Sequence, residues 1–246
     1  MRVHFIIHES YEGPGVLLNW VKDNNYVMSS TRIYLNEVLP SNIEFIDLLV
    51  VLGGPQCPGT TEQECNYFKV QKEVSFIRSC IESEKAVFGV CLGAQLIGEA
   101  LGATFEKSPN KEIGYFPIDL TEVANEHSKL AHFNSNEVVG HWHNDMPGLT
   151  ATSKVLATSR GCPRQIVEYS NLVYGFQCHL EFTPQSITEL VNVSDNEFSD
   201  NVDHHYIQNP EYILNSSSLR MNSLLVEFMD KLMIEYTRRA SRTGII

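Results

Sequence analysis

The chain has 246 residues, 43% of them hydrophobic, and carries 18 basic against 30 acidic side chains for a formal net charge of −12. That length supports one sizeable α/β core, expected as a single domain over residues 1–246. The acidic balance, with no basic run apart from Arg238-Arg239 and Arg242, speaks against a nucleic-acid partner, and the short apolar runs speak against a membrane partner. Six cysteines without a C-x-x-C pair predict neither a disulfide framework nor a metal centre.

The N-terminus runs straight into a strand, Arg2 to His8, without the charged start, long apolar stretch and cleavage site of a secretory signal, so a cytoplasmic location is expected. Ser10 to Gly15 reads as a turn. Val16 to Asn24 reads as a helix presenting Val16, Leu17, Trp20 and Val21 to a sheet, and Tyr26 to Ser29 as the next strand. Leu48-Leu49-Val50-Val51-Leu52 has the continuous apolar character of a central parallel strand. It stops at Gly53-Gly54-Pro55, a strand end able to turn bare backbone N–H groups toward a ligand. A loop with Pro58, Gly59 and Thr60 follows, then a helix whose Phe68, Val70, Val74, Ile77 and Ile81 recur at three- and four-residue steps.

That helix delivers the chain to Ala86-Val87-Phe88-Gly89-Val90, a short buried-strand pattern, and then to Cys91-Leu92-Gly93-Ala94-Gln95, where helical spacing resumes through Leu96, Ile97, Ala100 and Leu101. A cysteine between glycines at a strand-to-helix junction is a nucleophile elbow with sulfur in place of oxygen. The helix N-terminus beneath it favours the thiolate, the reactive form.

From Thr104 to Tyr174 the pattern changes to short β segments, among them Phe116 to Leu120, Val155 to Thr158 and Gln165 to Tyr169, expected as mixed or antiparallel edge strands. Glu112 reads either as a group lining the cleft or as a strand-edge acid paired with Lys107 or Lys111. His141-x-His143 with Asp145 is a metal half-site that nothing completes, so a substrate loop is the favoured reading. Near the end of this stretch, Gln177-Cys178-His179-Leu180-Glu181 places an imidazole and a carboxylate two apart, on one face of a strand that Pro184 would end. The carboxylate would then fix the ring tautomer while the second ring nitrogen faces Cys91. Ser194 to Asp203, ahead of His204-His205, reads as a solvated acidic loop. A helix from about Ser217 to Tyr236, with Leu219, Leu224, Leu225, Phe228, Leu232 and Met233 as its buried stripe, closes a C-terminal helical extension of about 211–246. The whole predicts a doubly wound, flavodoxin-like, mostly parallel sheet flanked by helices, with additional edge strands.

The Gly-Gly-Pro strand end, the G-x-C-x-G-x-Q elbow and the His-x-Glu pair occur here in the order that resembles the class I glutamine amidotransferases. The likeness spans roughly the first 190 residues and includes Lys111-Glu112-Ile113-Gly114-Tyr115 and His141-Trp142-His143-Asn144-Asp145, similar to stand-alone GMP-synthase-like members. It implies that Cys91 is the nucleophile, His179 the acid and base, and Glu181 the orienting carboxylate. It implies further that Gly54 and Leu92 are oxyanion donors and that Gln95, Trp142 and His143 contact substrate. Trp142, where others often have a small residue, and Cys178, in place of an aromatic, depart from the pattern.

The implied reaction is hydrolysis of glutamine to glutamate and ammonia through a γ-glutamyl thioester, with no cofactor. With no P-loop and no room for a synthetase domain, ammonia would pass to a separate synthase subunit. Two alternatives stay open: a γ-glutamyl peptidase or hydrolase acting on another γ-glutamyl compound, and a non-catalytic binding or regulatory module on the same fold.

Overall fold

The computed structural model describes residues 1–198 and 204–243. In chain order the elements are β1 (Arg2–Ile7), α1 (Leu17–Asp23), β2 (Val27–Arg32), β3 (Leu48–Val51), α2 (Val70–Glu82), β4 (Ala86–Val90) and α3 (Leu92–Ala100). They continue with β5 (Glu106–Leu120), β6 (Glu137–Met146), β7 (Lys154–Thr158), β8 (Ile166–Ser170), β9 (Val173–Phe176), α4 (Pro184–Val193), α5 (Pro210–Leu214) and α6 (Leu219–Thr243).

Among the described residues the strands form one sheet in the order β2-β1-β3-β4-β9-β8-β7-β5-β6. The pairs from β2 through β9 are parallel, and those from β9 through β6 are antiparallel. This is the flavodoxin-like arrangement with antiparallel edge strands that the alternating pattern predicts. Every residue of β3 and β4 is buried, as strands covered on both faces require. Leu48, Val50, Phe88 and Val90 face a core shared with α1 and α6. The intervening Leu49, Val51 and Val87 face the core under α2 and α3, so the period-2 alternation divides the strands between two helical layers. The C-terminal ends of β3, β4 and β9 thus emerge side by side, where such sheets bind ligands.

Helix α6 lies on the sheet through Phe228, whose ring meets those of Phe88, Tyr174 and Phe176 at 5.9, 5.1 and 4.9 Å. It is longer than its apolar stripe suggests, and Leu219, expected in that stripe, is 79% exposed. As the first residue of the helix, Leu219 precedes the turn that meets the sheet, while Met221, Met229, Tyr236 and Ala240 join the buried face.

The region after Thr104 also differs from expectation. In place of a short segment at Phe116 to Leu120, β5 is a 15-residue strand paired along β6. Its alternation is hidden by Pro109, which falls within a register shift between Lys107 and Glu112, and by Pro117, which pairs with Val138. The His141 to Asp145 stretch, expected as a substrate loop, is the C-terminal half of β6. Of the stretch expected to be a solvated loop, 199–203 lie outside the described residues. The turn before them is engaged with β5 and β6: Lys111 pairs with the Glu197 carboxylate, and the Phe198 ring meets Trp142 edge-on at 5.8 Å. Beyond a turn at His204–Tyr206, Ile207 is buried beside Ile113. The Gln208 side chain accepts from Tyr115 N–H at 2.6 Å and donates to its carbonyl at 2.7 Å.

Candidate active site

Cys91 sits between β4 and α3 with φ 51° and ψ −109°, a left-handed conformation that costs a non-glycine residue about 1–3 kcal/mol. Its N–H donates to Phe176 O at 2.7 Å, fastening the elbow to the end of β9. The turn is too tight for side chains on either flank. A Cβ on Gly89 would lie 2.5 Å from the Gly93 carbonyl, and one on Gly93 would lie 2.0 Å from Val51 O. Leu92 opens α3, and neither its N–H nor that of Gly54 has a hydrogen-bond acceptor among the described residues.

His179 and Glu181 lie beyond β9, not within a strand as their spacing suggested. The segment is held by reciprocal backbone bonds of His179 with Gly140 at 2.7 and 3.0 Å and by Val16 N–H on Glu181 O at 3.0 Å. Asn222 of α6 adds bonds to the carbonyls of Leu180 and Phe182 at 2.7 and 2.9 Å. Pro184 is not a strand terminator but the first residue of α4, which Thr183 caps. The shared orientation nevertheless holds: His179 Nδ1 is 2.6 Å from Glu181 Oε1, with the ring stacked on Phe182 at 4.2 Å.

Accepting at Nδ1, Glu181 fixes the tautomer and leaves Nε2 buried with no hydrogen-bond partner among the described residues. A Cβ on Gly53 would lie 3.4 Å from His179 Cε1 and 3.6 Å from Cys91 Cβ, so ring and thiol flank one point. Burial alone would lower the His179 pKa, but the Glu181 carboxylate and the Cys91 sulfur outweigh it and hold it well above the usual imidazole value.

Three further groups reach this point that the sequence pattern alone does not mark. Gln177 Nε2 donates to Cys91 Sγ at 3.3 Å, and Gln177 Oε1 accepts from Gln95 Nε2 at 3.1 Å, leaving Gln95 Oε1 unpartnered. Gln177 stands two residues before His179, so extending the spacing argument one step back would have found it. The Trp142 carbonyl lies 3.7 Å from Cys91 Sγ. Glu12, expected only as part of a turn, borders the cleft, where loss of hydration pushes its carboxyl up to about 7 against the pull of His179 and His8.

The cleft measures about 440 Å³ and is bordered by Gly54, Cys91, Gln95, Trp142 and His143. His179 and Glu181 are buried beside the elbow, 1% and 4% exposed. Lys107, paired with Asp145 at 2.8 Å, and Lys111 mark its far rim. Glu112 is not a strand-edge acid paired with either lysine. It is fully buried and accepts from the Ser159 hydroxyl at 2.8 Å and the Gln165 amide at 2.6 Å, with His143 Nε2 at 3.2 Å and His141 Nδ1 at 3.5 Å. Burial would raise its pKa, but His143, His141 and Ser159 reverse that and hold it below the ordinary carboxylate value. Burial takes His141 down to about 3.

Glu112, His141 and His143 are close enough to hold a cation, the one such group among the described residues. Hydroxyl and amide donors already occupy the carboxylate, so the cluster is satisfied as a hydrogen-bonded brace that fixes β6 against β5 and β8.

Comparison with known proteins gives a consistent picture. The family model for glutamine amidotransferase class-I matches residues 24–193. The glutamine amidotransferase-like protein YfeJ of Salmonella typhimurium is 48% identical over 97% of this chain and 100% of its own length. The crystal structure of SMU.1228c superposes with a TM-score of 0.92 at 44% identity, covering 95% of this chain and 100% of that one. The glutamine-hydrolysing subunit of GMP synthase from Thermoplasma volcanium is 29% identical over 61% of this chain and 70% of its own length.

Proposed function

The chain belongs to the class-I glutamine amidotransferase family, and we propose that it hydrolyses the side-chain amide of glutamine through a γ-glutamyl thioester on Cys91. The observation that carries this reading is the His179 ring, anchored at Nδ1 by Glu181 at 2.6 Å and bare at a buried Nε2 beside the strained Cys91. The Cys91 thiolate attacks the amide carbon. The N–H groups of Gly54 and Leu92 take the charge that develops on oxygen, each donor being worth about 3 kcal/mol in comparable sites. The imidazolium Nε2–H protonates the leaving nitrogen, ammonia departs, and the neutral ring then deprotonates the water that releases glutamate. Gln95 Oε1 and His143 contact the substrate, and the Trp142 carbonyl limits the space above the sulfur. No cofactor enters these steps.

Ammonia passes to a separate synthase, the arrangement that the similarity to a glutamine-hydrolysing GMP synthase component supports. The cleft runs on past Gln95 to Lys107 and Lys111, and that extra length supports a second reading, cleavage of a γ-glutamyl compound larger than glutamine. Ammonia release from glutamine, measured beside amine release from γ-glutamyl dipeptides and tripeptides, separates the two. The first reading predicts a higher kcat/KM on glutamine, abolished in Cys91→Ser, and a preference for the peptides would replace it with the second.

A further inference from the structure

His8 closes β1 at the C-terminal edge of the sheet, and its imidazole is completely buried between β3 and α2. Its Nδ1 lies 3.0 Å from the carbonyl of Gly53, and its Nε2 lies 2.8 Å from the Glu73 carboxylate, itself 1% exposed. The Phe68 ring seals the imidazole edge-on at 5.7 Å. A carbonyl can only accept, so Nδ1 carries the proton and donates it to Gly53 O, while Glu73 holds the other nitrogen. This is a second carboxylate–imidazole pair on the same rim, but it ends on a peptide group and not on a sulfur.

The peptide it holds joins Gly53 to Gly54. There is no cis peptide bond among the described residues, so the Gly53 C=O and the Gly54 N–H project in opposite directions from one plane. Holding the carbonyl on His8 therefore turns the Gly54 N–H away from the ring, toward the cleft that Gly54 borders. Two adjacent glycines give this segment no side-chain preference of its own, so its orientation has to come from an outside group.

We propose that His8, held by Glu73, is the positioning residue that aims the Gly54 N–H at the acyl oxygen of the substrate. The inference rests on the reading of Gly54 as an oxyanion donor. His8 touches no reacting atom, and its effect falls on the step that builds negative charge on oxygen. It does not fall on the reactivity of the thiol.

The test uses the full chain as wild type, Cys91→Ser, His8→Leu and His8→Asn, with kcat and KM for glutamine set beside the rate of Cys91 alkylation by iodoacetamide, a reaction that needs the thiolate but forms no oxyanion. His8→Leu removes the donor at similar volume and is expected to lower kcat by about 10-fold or more, with KM and alkylation changed by less than about threefold. His8→Asn, whose amide N–H stands near the position of Nδ1–H, is expected to recover most of that loss. A folded His8→Leu protein with kcat within about twofold of wild type, or an asparagine variant no better than the leucine one, overturns the proposal. If His8→Leu does not fold, His8→Met takes its place with the same expectations. Wild-type protein releasing no more ammonia than Cys91→Ser would instead show that the glutaminase reading itself is wrong, and the inference would fall with it.

Discussion

A sulfur on a strained turn is only as reactive as the groups that stabilise its charge, and three are in reach: the end of α3, the His179 ring and the Gln177 amide at 3.3 Å. The amide matters because Gln177 is fully buried and its oxygen is already committed to Gln95, so its N–H cannot turn away from Cys91. Gln177→Leu is expected to slow iodoacetamide alkylation of Cys91 at pH 7 by about 10-fold and to move the pH midpoint of that reaction upward, because a hydrogen bond to a charged acceptor contributes about 1.5–3 kcal/mol. Titrating the alkylation rate checks it, and an unchanged midpoint would remove Gln177 from the site. At this scale the sequence was readable where function is local. Cys91 is marked by its own neighbours, Gly89 and Gly93. His8, Glu12 and Gln165 carry no such mark, because what gives each a role is a partner tens of residues away that only the folded sheet supplies.

Elements position these residues through contacts that leave little room. The elbow depends on α3 crossing directly behind β3, where a Cβ on Gly93 would lie 2.0 Å from a backbone oxygen that cannot move without disturbing the central strand. Gly93→Ala is therefore expected to destabilise the fold by about 3 kcal/mol, at the upper end of overpacking costs, measurable as a lowered denaturant midpoint. Helix α6 allows a paired test of which face bears load. Phe228→Ala, which empties a site against three aromatic rings, is expected to cost about 3–5 kcal/mol, whereas Leu219→Ser at an exposed position should fall within about 0.5 kcal/mol of wild type. The elements whose periodicity was clean, β3, β4, α2 and α3, were legible from sequence. The pairing of β5 with β6 was not, since prolines and a bulge interrupt its alternation, and His179 to Glu181 mimicked a strand although tertiary bonds to Gly140, Val16 and Asn222 extend it.

Across the whole molecule, the antiparallel half of the sheet is tied to the parallel half partly by one carboxylate. Glu168 of β8 meets His127 at 3.4 Å, Lys154 of β7 at 3.0 Å and the Tyr174 hydroxyl of β9 at 3.0 Å. The His127 interaction, with Lys154 and Tyr174, outweighs burial and lowers its pKa from 4.5 to about 2. A carboxyl depressed on folding adds stability that is fully present above its unfolded value and is lost as pH falls through the folded one. Wild-type stability should accordingly decline between about pH 4.5 and 2. Glu168→Gln should be less stable at neutral pH and show a shallower decline over that window, which denaturant melts at stepped pH values would reveal. No described helix is long and apolar enough to cross a membrane, in line with the short apolar runs of the sequence. The overall architecture followed from the strand and helix alternation, but the convergence of residues 8, 12, 54, 91, 142, 177 and 179 at one rim depends on strand order, which periodicity does not encode.

The chemistry turns on whether carbon becomes bonded to the sulfur of Cys91. Acid-quenching the protein during turnover of glutamine carrying a heavy isotope at its side-chain carbonyl carbon, then mapping peptide masses, reads this directly. The expected result is a γ-glutamyl adduct on the Cys91 peptide of wild type and none in Cys91→Ser. Ammonia release that persists undiminished in Cys91→Ser, or an adduct confined to one of the other five cysteines, would contradict the account.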